Sequence, residues 1–278
     1  AYEYAKSLKI LSEKYNSKLF IVMRVYFEKP RTTIGWKGLI NDPDLDNSCN
    51  INKGLLVARH LMLEIAKLNI PIGCEFLDTI SPQFISDLVS WGAIGARTTE
   101  SQCHRQLASG LSMPIGFKNG TGGSIKLAVD AILSSRYPHT FLGINLENNS
   151  SIIKTNGNKN THIILRGGSN GPNYDAQSVQ NVSELMLNSN LNPNIIIDCS
   201  HANSNKDFRN QPKVAENVGY QILSGNKFIK GVMIESNINE GNQDISTNML
   251  YGVSVTDSCI SLETTDMVLS NLSNCVKI

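Results

Sequence analysis

The feature that most constrains this chain is an alternation. Short apolar runs, bounded by Gly, Pro or Asn, take turns with longer stretches whose apolar residues recur at helical spacing. The runs are 19–26, 72–77, 93–96, 114–118, 161–166, 194–200 and 228–235. The helical stretches are 2–15, 53–68, 82–90, 99–109, 124–134, 175–188, 214–223 and 256–272. Strand-then-helix alternation of this kind makes a parallel sheet covered by helices. The expected fold is α/β, a (β/α)8 TIM barrel, with an extra hairpin (140–144 and 151–154) inserted before one of its later strands. The polar, Asn/Ser-rich stretch 145–160 is read as hairpin turn or loop. A helix opens the chain, so the first strand of a full barrel is expected to be missing. No linker or repeat divides the sequence, and residues 1–278 are expected to form a single, incomplete barrel domain.

Charge excludes some function classes. Lys+Arg number 25 and Asp+Glu 24, a net charge of +1, which gives no support for nucleic-acid or membrane-surface binding. No apolar run approaches the roughly 20 residues of a membrane helix. Six cysteines, none in a C-x-x-C pair, sit in a chain too large to need disulfide staples. They read as reduced thiols of a cytoplasmic protein.

The charges that are present are not spread evenly. In a β/α barrel the chemistry gathers at the C-terminal ends of the strands. Those ends carry Arg24, Arg97, Lys118 and Arg166, with Lys29 and Arg31 just beyond Arg24 and Glu75 after the next strand. A lone Arg at a strand end is most simply a surface ion pair. Six cations at or just beyond the strand ends of a near-neutral chain point instead to an anionic ligand with phosphate or carboxylate groups. The segment 119–124, Asn-Gly-Thr-Gly-Gly-Ser, offers backbone N–H groups and a Ser N-cap to an anion, and reads equally well as a plain turn. It matches no nucleotide-binding pattern. A second constellation is His201, Glu235 and Asp257, the last expected at a helix start. One imidazole and two carboxylates suit a divalent metal. A single His after an apolar strand equally suits a structural hydrogen bond. Cys199 is read as packing rather than as a ligand.

The strings around these residues are recognisable. Residues 23–38, beginning Met23-Arg24-Val25-Tyr26-Phe27-Glu28-Lys29-Pro30-Arg31-Thr32-Thr33, resemble the substrate-binding signature of class I 3-deoxy-D-arabino-heptulosonate-7-phosphate (DAHP) synthases. So do Gly95-Ala96-Arg97-Thr98-Thr99-Glu100-Ser101, Gly116-Phe117-Lys118-Asn119-Gly120, Leu165-Arg166-Gly167-Gly168 and Asp198-Cys199-Ser200-His201-Ala202-Asn203-Ser204. The resemblance runs from residue 1 to near the C-terminus, and the stretches 203–214 and 235–243 look most like fungal members.

The resemblance implies a condensation of phosphoenolpyruvate with erythrose 4-phosphate, the first step of the shikimate pathway. It implies that Arg24, Ala96, Arg97, Lys118 and Arg166 hold phosphoenolpyruvate with Glu75 nearby. It places erythrose 4-phosphate at Lys29, Pro30, Arg31 and Thr32, and makes Lys29 and His201 catalytic. It makes His201, Glu235 and Asp257 ligands of a divalent metal, one of Mn, Fe, Co or Zn. A further Cys ligand belongs to a family segment ahead of Ala1, so the chain as given is expected to be unstable or inactive unless that gap is supplied. Pro82, Gln83, Leu111, Ser112, Phe141, Gly143 and Ile153 match positions around the family's aromatic amino-acid feedback site. Gly143 occupies a place where Ser or Gly separates phenylalanine-type from tyrosine-type enzymes, which favours tyrosine here. A homodimer or homotetramer is implied. Two other readings are a non-catalytic truncated relative that keeps anion binding or assembly, and the sister synthase that takes arabinose 5-phosphate. The Lys29–Thr32 string argues against the sister synthase.

Overall fold

A computed structural model describes residues 1–31, 34–145, 147 and 149–277. The elements in chain order are α1 (Tyr2–Tyr15), β1 (Met23–Arg24), α2 (Ile51–Lys67), β2 (Ile72–Glu75), α3 (Pro82–Ile85), β3 (Trp91–Ile94), α4 (Gln102–Gly110), β4 (Ile115–Lys118), α5 (Ile125–Ser135), β5 (Thr140–Ile144), β6 (Ser150–Lys154), β7 (Thr161–Leu165), α6 (Ala176–Asn188), β8 (Ile195–Asp198), α7 (Gln211–Leu223), β9 (Ile229–Met233) and α8 (Leu262–Cys275).

Seven strands form one parallel sheet in the order β1-β2-β3-β4-β7-β8-β9, and β5 and β6 form a separate antiparallel hairpin. This is the expected α/β barrel with its inserted hairpin. Among the described residues β1 and β9 are the sheet's edges, and an Arg24 Nη1 to Ile234 carbonyl bond of 3.2 Å reaches across from one to the other.

Burial explains why these segments are strands. Every residue of β2, β4 and β7 is buried, as both faces of a covered parallel sheet require. Ala93, Ile164 and Met233 pack inside the curled sheet with Tyr26, Trp91 and Ile196. The larger cluster, including Met62, Ile65, Phe117, Ile132 and Met186, lies between sheet and helices. Helix starts follow polar caps: Asn50, Asp175 and Ser261 accept from Lys53, Ser178 and Thr264 N–H groups. No helix among the described residues is long and apolar enough to cross a membrane.

Two expectations are corrected. The last helix begins at Leu262, not Thr256, so Asp257 lies in the preceding loop. Residues 254–260 pair instead with 236–242 through bridges such as Ser236 to Ile260 and Gly241 to Cys259, and Ser261 makes the cap. The stretch 82–90 is a single α-helical turn followed by a 3-10 turn at Ser86–Leu88.

Candidate active site

A cavity of about 580 Å³ opens at the C-terminal ends of the strands. Its wall includes Arg24, Lys29, Pro30, Arg31, Glu75, Ala96, Arg97, Lys118 and Arg166, together with His201, Glu235 and Asp257. The structure thus brings both sequence constellations into one place. Thr32 lies outside the described residues. The parallel register delivers the side chains: β1 ends in Arg24, β2 in Glu75, β4 in Lys118, and Arg97, Arg166, His201 and Glu235 follow β3, β7, β8 and β9 within a few residues.

The electrostatics are those of an anion site. Lys118 is 4% exposed, and its Nζ lies 3.3 Å from Glu75 Oε2 and 3.8 Å from Asp198 Oδ2. Burial alone would lower its pKa; Glu75 and Asp198 more than offset that, so the ammonium stays charged. Arg24 has a buried Nε with no hydrogen-bond partner among the described residues. Burial pushes the Arg166 pKa down, and Arg97 beside it pushes the same way despite Asp198. Neither Arg97 nor Arg166 makes an ion pair among the described residues. Two neighbouring guanidinium groups without a carboxylate partner are at lowest energy with an anion between them.

The loops behind these cations interlock. Asn119 Nδ2 donates to the Gly167 carbonyl at 2.9 Å, and its Oδ1 accepts from the Arg166 N–H at 2.9 Å. Gly168 packs so tightly on Gly123 that any Cβ there would overlap the Gly123 backbone. The 119–124 segment therefore buttresses Arg166, with Thr121 on the cavity wall. The expected Ser124 cap makes no side-chain hydrogen bond.

At the second constellation, Asp198 is completely buried and places Oδ2 2.9 Å from His201 Nδ1. Burial would raise the Asp198 pKa, but His201, Lys118 and Arg24 hold it well below the usual carboxylate range. Ser200 Oγ donates to Asp198 Oδ1 at 2.6 Å and so accepts from His201 Nδ1 at 2.8 Å, which keeps the proton on Nδ1 and leaves the Nε2 lone pair for a metal. Glu235 is clamped at its backbone by Gln211, whose Oε1 accepts at 2.8 Å and whose Nε2 donates at 3.0 Å. Burial raises the Glu235 pKa, although His201 and Arg24 oppose it. Its carboxylate accepts no hydrogen bond among the described residues, the state that a bound cation relieves. Asp257 Oδ2 lies 3.2 Å from Lys29 Nζ, and Lys29 with His201 outweighs burial to lower its pKa. The donor set fits a divalent metal by chemistry. Among the described residues, no three such groups are drawn into one coordinating cluster, and Lys29 engages Asp257. Cys199 is buried and its thiol is pushed well up by burial, in keeping with packing.

Residues 1–270 match the model of the DAHP synthetase I family. The chain belongs to this family. It is similar to the Tyr-sensitive phospho-2-dehydro-3-deoxyheptonate aldolase of Escherichia coli (strain K12), at 53% identity over 98% of this chain and 77% of that one. It is similar to the phenylalanine-inhibited enzyme of Saccharomyces cerevisiae, at 54% identity over 100% of this chain and 77% of that one. A solved phospho-2-dehydro-3-deoxyheptonate aldolase from Francisella tularensis superposes with a TM-score of 0.97 at 50% identity, covering 99% of this chain and 80% of that one.

The reaction of a DAHP synthase is therefore the function of this chain: phosphoenolpyruvate and erythrose 4-phosphate give 3-deoxy-D-arabino-heptulosonate 7-phosphate and phosphate, the entry to the shikimate pathway. It is a metal-dependent transferase of aromatic amino-acid biosynthesis. The non-catalytic reading is not favoured, since every described candidate cation is on the cavity wall.

The remaining sequence candidates belong to the hairpin region. Phe141 pairs with Ile153 and Gly143 with Ser151 across β5 and β6. Asn158 fastens the hairpin base by donating to the Leu111 and Met113 carbonyls at 3.0 and 2.9 Å, on either side of Ser112. Pro82 is buried and Gln83 exposed at the start of α3. Sequence reasoning missed Tyr26, Asn119, Asp198 and Gln211. Only Asp198 carried a signal, three residues before His201 at the end of its strand.

Proposed function

We propose that Arg24, Arg97, Lys118 and Arg166, with Ala96 between them, hold the phosphate and carboxylate of phosphoenolpyruvate, and that Lys29, Pro30, Arg31 and Thr32 place erythrose 4-phosphate. The observation that carries this reading is the pair Arg97 and Arg166, both on the cavity wall and neither with an ion-pair partner among the described residues. His201, Glu235 and Asp257 would hold a divalent metal, which when bound polarises the aldehyde of the sugar phosphate. C3 of phosphoenolpyruvate attacks that aldehyde carbon, water adds at C2, and phosphate leaves. Lys29, beside Asp257, stands to give a proton to the aldehyde oxygen as it gains charge. The buried Lys118–Glu75 pair stands to hold the water that adds at C2, and the arginines keep the departing phosphate neutralised. On this reading residues 1–278 act as one catalytic domain.

Tyrosine is the proposed feedback ligand at Pro82, Gln83, Leu111, Ser112, Phe141, Gly143 and Ile153. A Cβ on Gly143 would come within 2.6 Å of Ile153 Cγ1, so a serine there would reshape this face of the hairpin. Relatives carry both regulators in their names, Tyr-sensitive in Escherichia coli and phenylalanine-inhibited in Saccharomyces cerevisiae. Assembly as a homodimer or homotetramer and a cytoplasmic location complete the reading; all six cysteines are free.

The test follows phosphate release with phosphoenolpyruvate, a divalent ion and either erythrose 4-phosphate or arabinose 5-phosphate. Release that depends on the sugar phosphate and prefers erythrose 4-phosphate is expected. Whatever the absolute rate, the ranking of the two sugars decides. Release indifferent to the sugar, or favouring arabinose 5-phosphate, would contradict the assignment.

A further inference from the structure

We propose that Tyr26 is a positioning residue whose ring holds Arg24 and Lys118 at the spacing at which they grip phosphoenolpyruvate. The inference rests on the assignment of those two cations to phosphoenolpyruvate made above.

Arg24 and Tyr26 are two residues apart on extended backbone, so they share a face. That face looks into the barrel: Tyr26 packs on the interior apolar layer of Ala93, Ile164 and Met233 and also lines the cavity. Its ring is the boundary between the dry floor and the charged mouth. Arg24 Cζ lies 4.4 Å from the ring centroid and Lys118 Nζ lies 5.8 Å from it. Both are within cation–π range, and the attraction strengthens where water is excluded.

The ring's neighbours show what it opposes. Asp198, completely buried, attracts both cations from below, at 3.8 Å from Lys118 Nζ. Glu75 draws Lys118 sideways, and the Ile234 carbonyl holds only one nitrogen of Arg24. An aromatic face under both cations resists their collapse onto these acceptors and leaves N–H groups free for an incoming anion. The Tyr26 hydroxyl makes no hydrogen bond of good geometry among the described residues, and the ring face is the contact that Arg24 and Lys118 share.

The test replaces Tyr26 by phenylalanine and by a series of increasingly fluorinated phenylalanines. Fluorine drains the negative ring face while nearly preserving its shape. Each 278-residue variant is titrated calorimetrically with phosphoenolpyruvate, and separately with erythrose 4-phosphate, with thermal melting as a control. The expected result is that Tyr26→Phe binds phosphoenolpyruvate within about twofold of wild type. Affinity then falls stepwise with fluorination, reaching about tenfold at the pentafluoro ring, with erythrose 4-phosphate affinity unchanged and melting lowered by no more than about 4 °C. A flat series overturns the proposal, as does a Phe variant as weak as the pentafluoro one. Wild-type protein that fails to bind phosphoenolpyruvate overturns the underlying assignment as well; wild-type binding with a flat series overturns the role of Tyr26 alone.

Discussion

Lys118 concentrates the physics of the site. It is a buried ammonium kept charged by two carboxylates, and its substitution acts on function and stability together. Lys118→Met should weaken phosphoenolpyruvate binding by about 100-fold and cost about 3 kcal/mol in denaturant unfolding, because Glu75 and Asp198 are left buried without their cation. Unchanged stability would show that those carboxylates find other partners. A second buried group predicts pH behaviour away from the site. His162 accepts from Trp91 Nε1 at 3.1 Å, and burial lowers its pKa to about 4 from 6.5. The folded state therefore binds fewer protons than the unfolded one between these values. Stability from neutral His162 is complete above about pH 6.5 and is lost as pH falls toward 4, by up to about 3 kcal/mol. Unfolding midpoints measured across that range should slope downward with acid, and His162→Gln, which keeps an acceptor for Trp91, should flatten the slope.

At the scale of elements, the loops after β4 and β7 act as one unit. Gly168→Ala forces them apart because a Cβ has no room beside Gly123. Melting should drop by several degrees and phosphoenolpyruvate affinity should fall, since Arg166 is anchored through Asn119 to the same joint. Normal binding would separate the joint from the site. This scale also shows what the sequence could reveal. Buried parallel strands are continuous apolar runs, so 72–77, 114–118 and 161–166 were legible to within a few residues, and with them the strand-end cations. The first run, 19–26, is ladder-paired only at Met23 and Arg24, because pairing length depends on the partner strand. The start of α8 was misplaced because 254–260 commits to long-range bridges that no local pattern announces. Tyr26, Asn119 and Gln211 act through partners distant in sequence, and only folding reveals those pairs.

For the whole molecule, a near-neutral chain gathers six strand-end cations, Arg24, Lys29, Arg31, Arg97, Lys118 and Arg166, at one mouth. Substrate attraction should therefore be local and salt-sensitive. Chelation of divalent ions should abolish phosphate release while leaving phosphoenolpyruvate binding largely in place, because the cations, not the metal ligands, hold that substrate. Loss of binding on chelation would merge the two constellations into one.

The most direct test of the account is a calorimetric titration of wild type and Arg166→Met with phosphoenolpyruvate, each paired with a melting curve. Wild type should bind one phosphoenolpyruvate per chain. In Arg166→Met binding should be at least about 100-fold weaker with melting equal to or above wild type, because the cost of burying the Arg166 charge is relieved. Undiminished binding in the variant would contradict the claim that the strand-end cations are the phosphoenolpyruvate site.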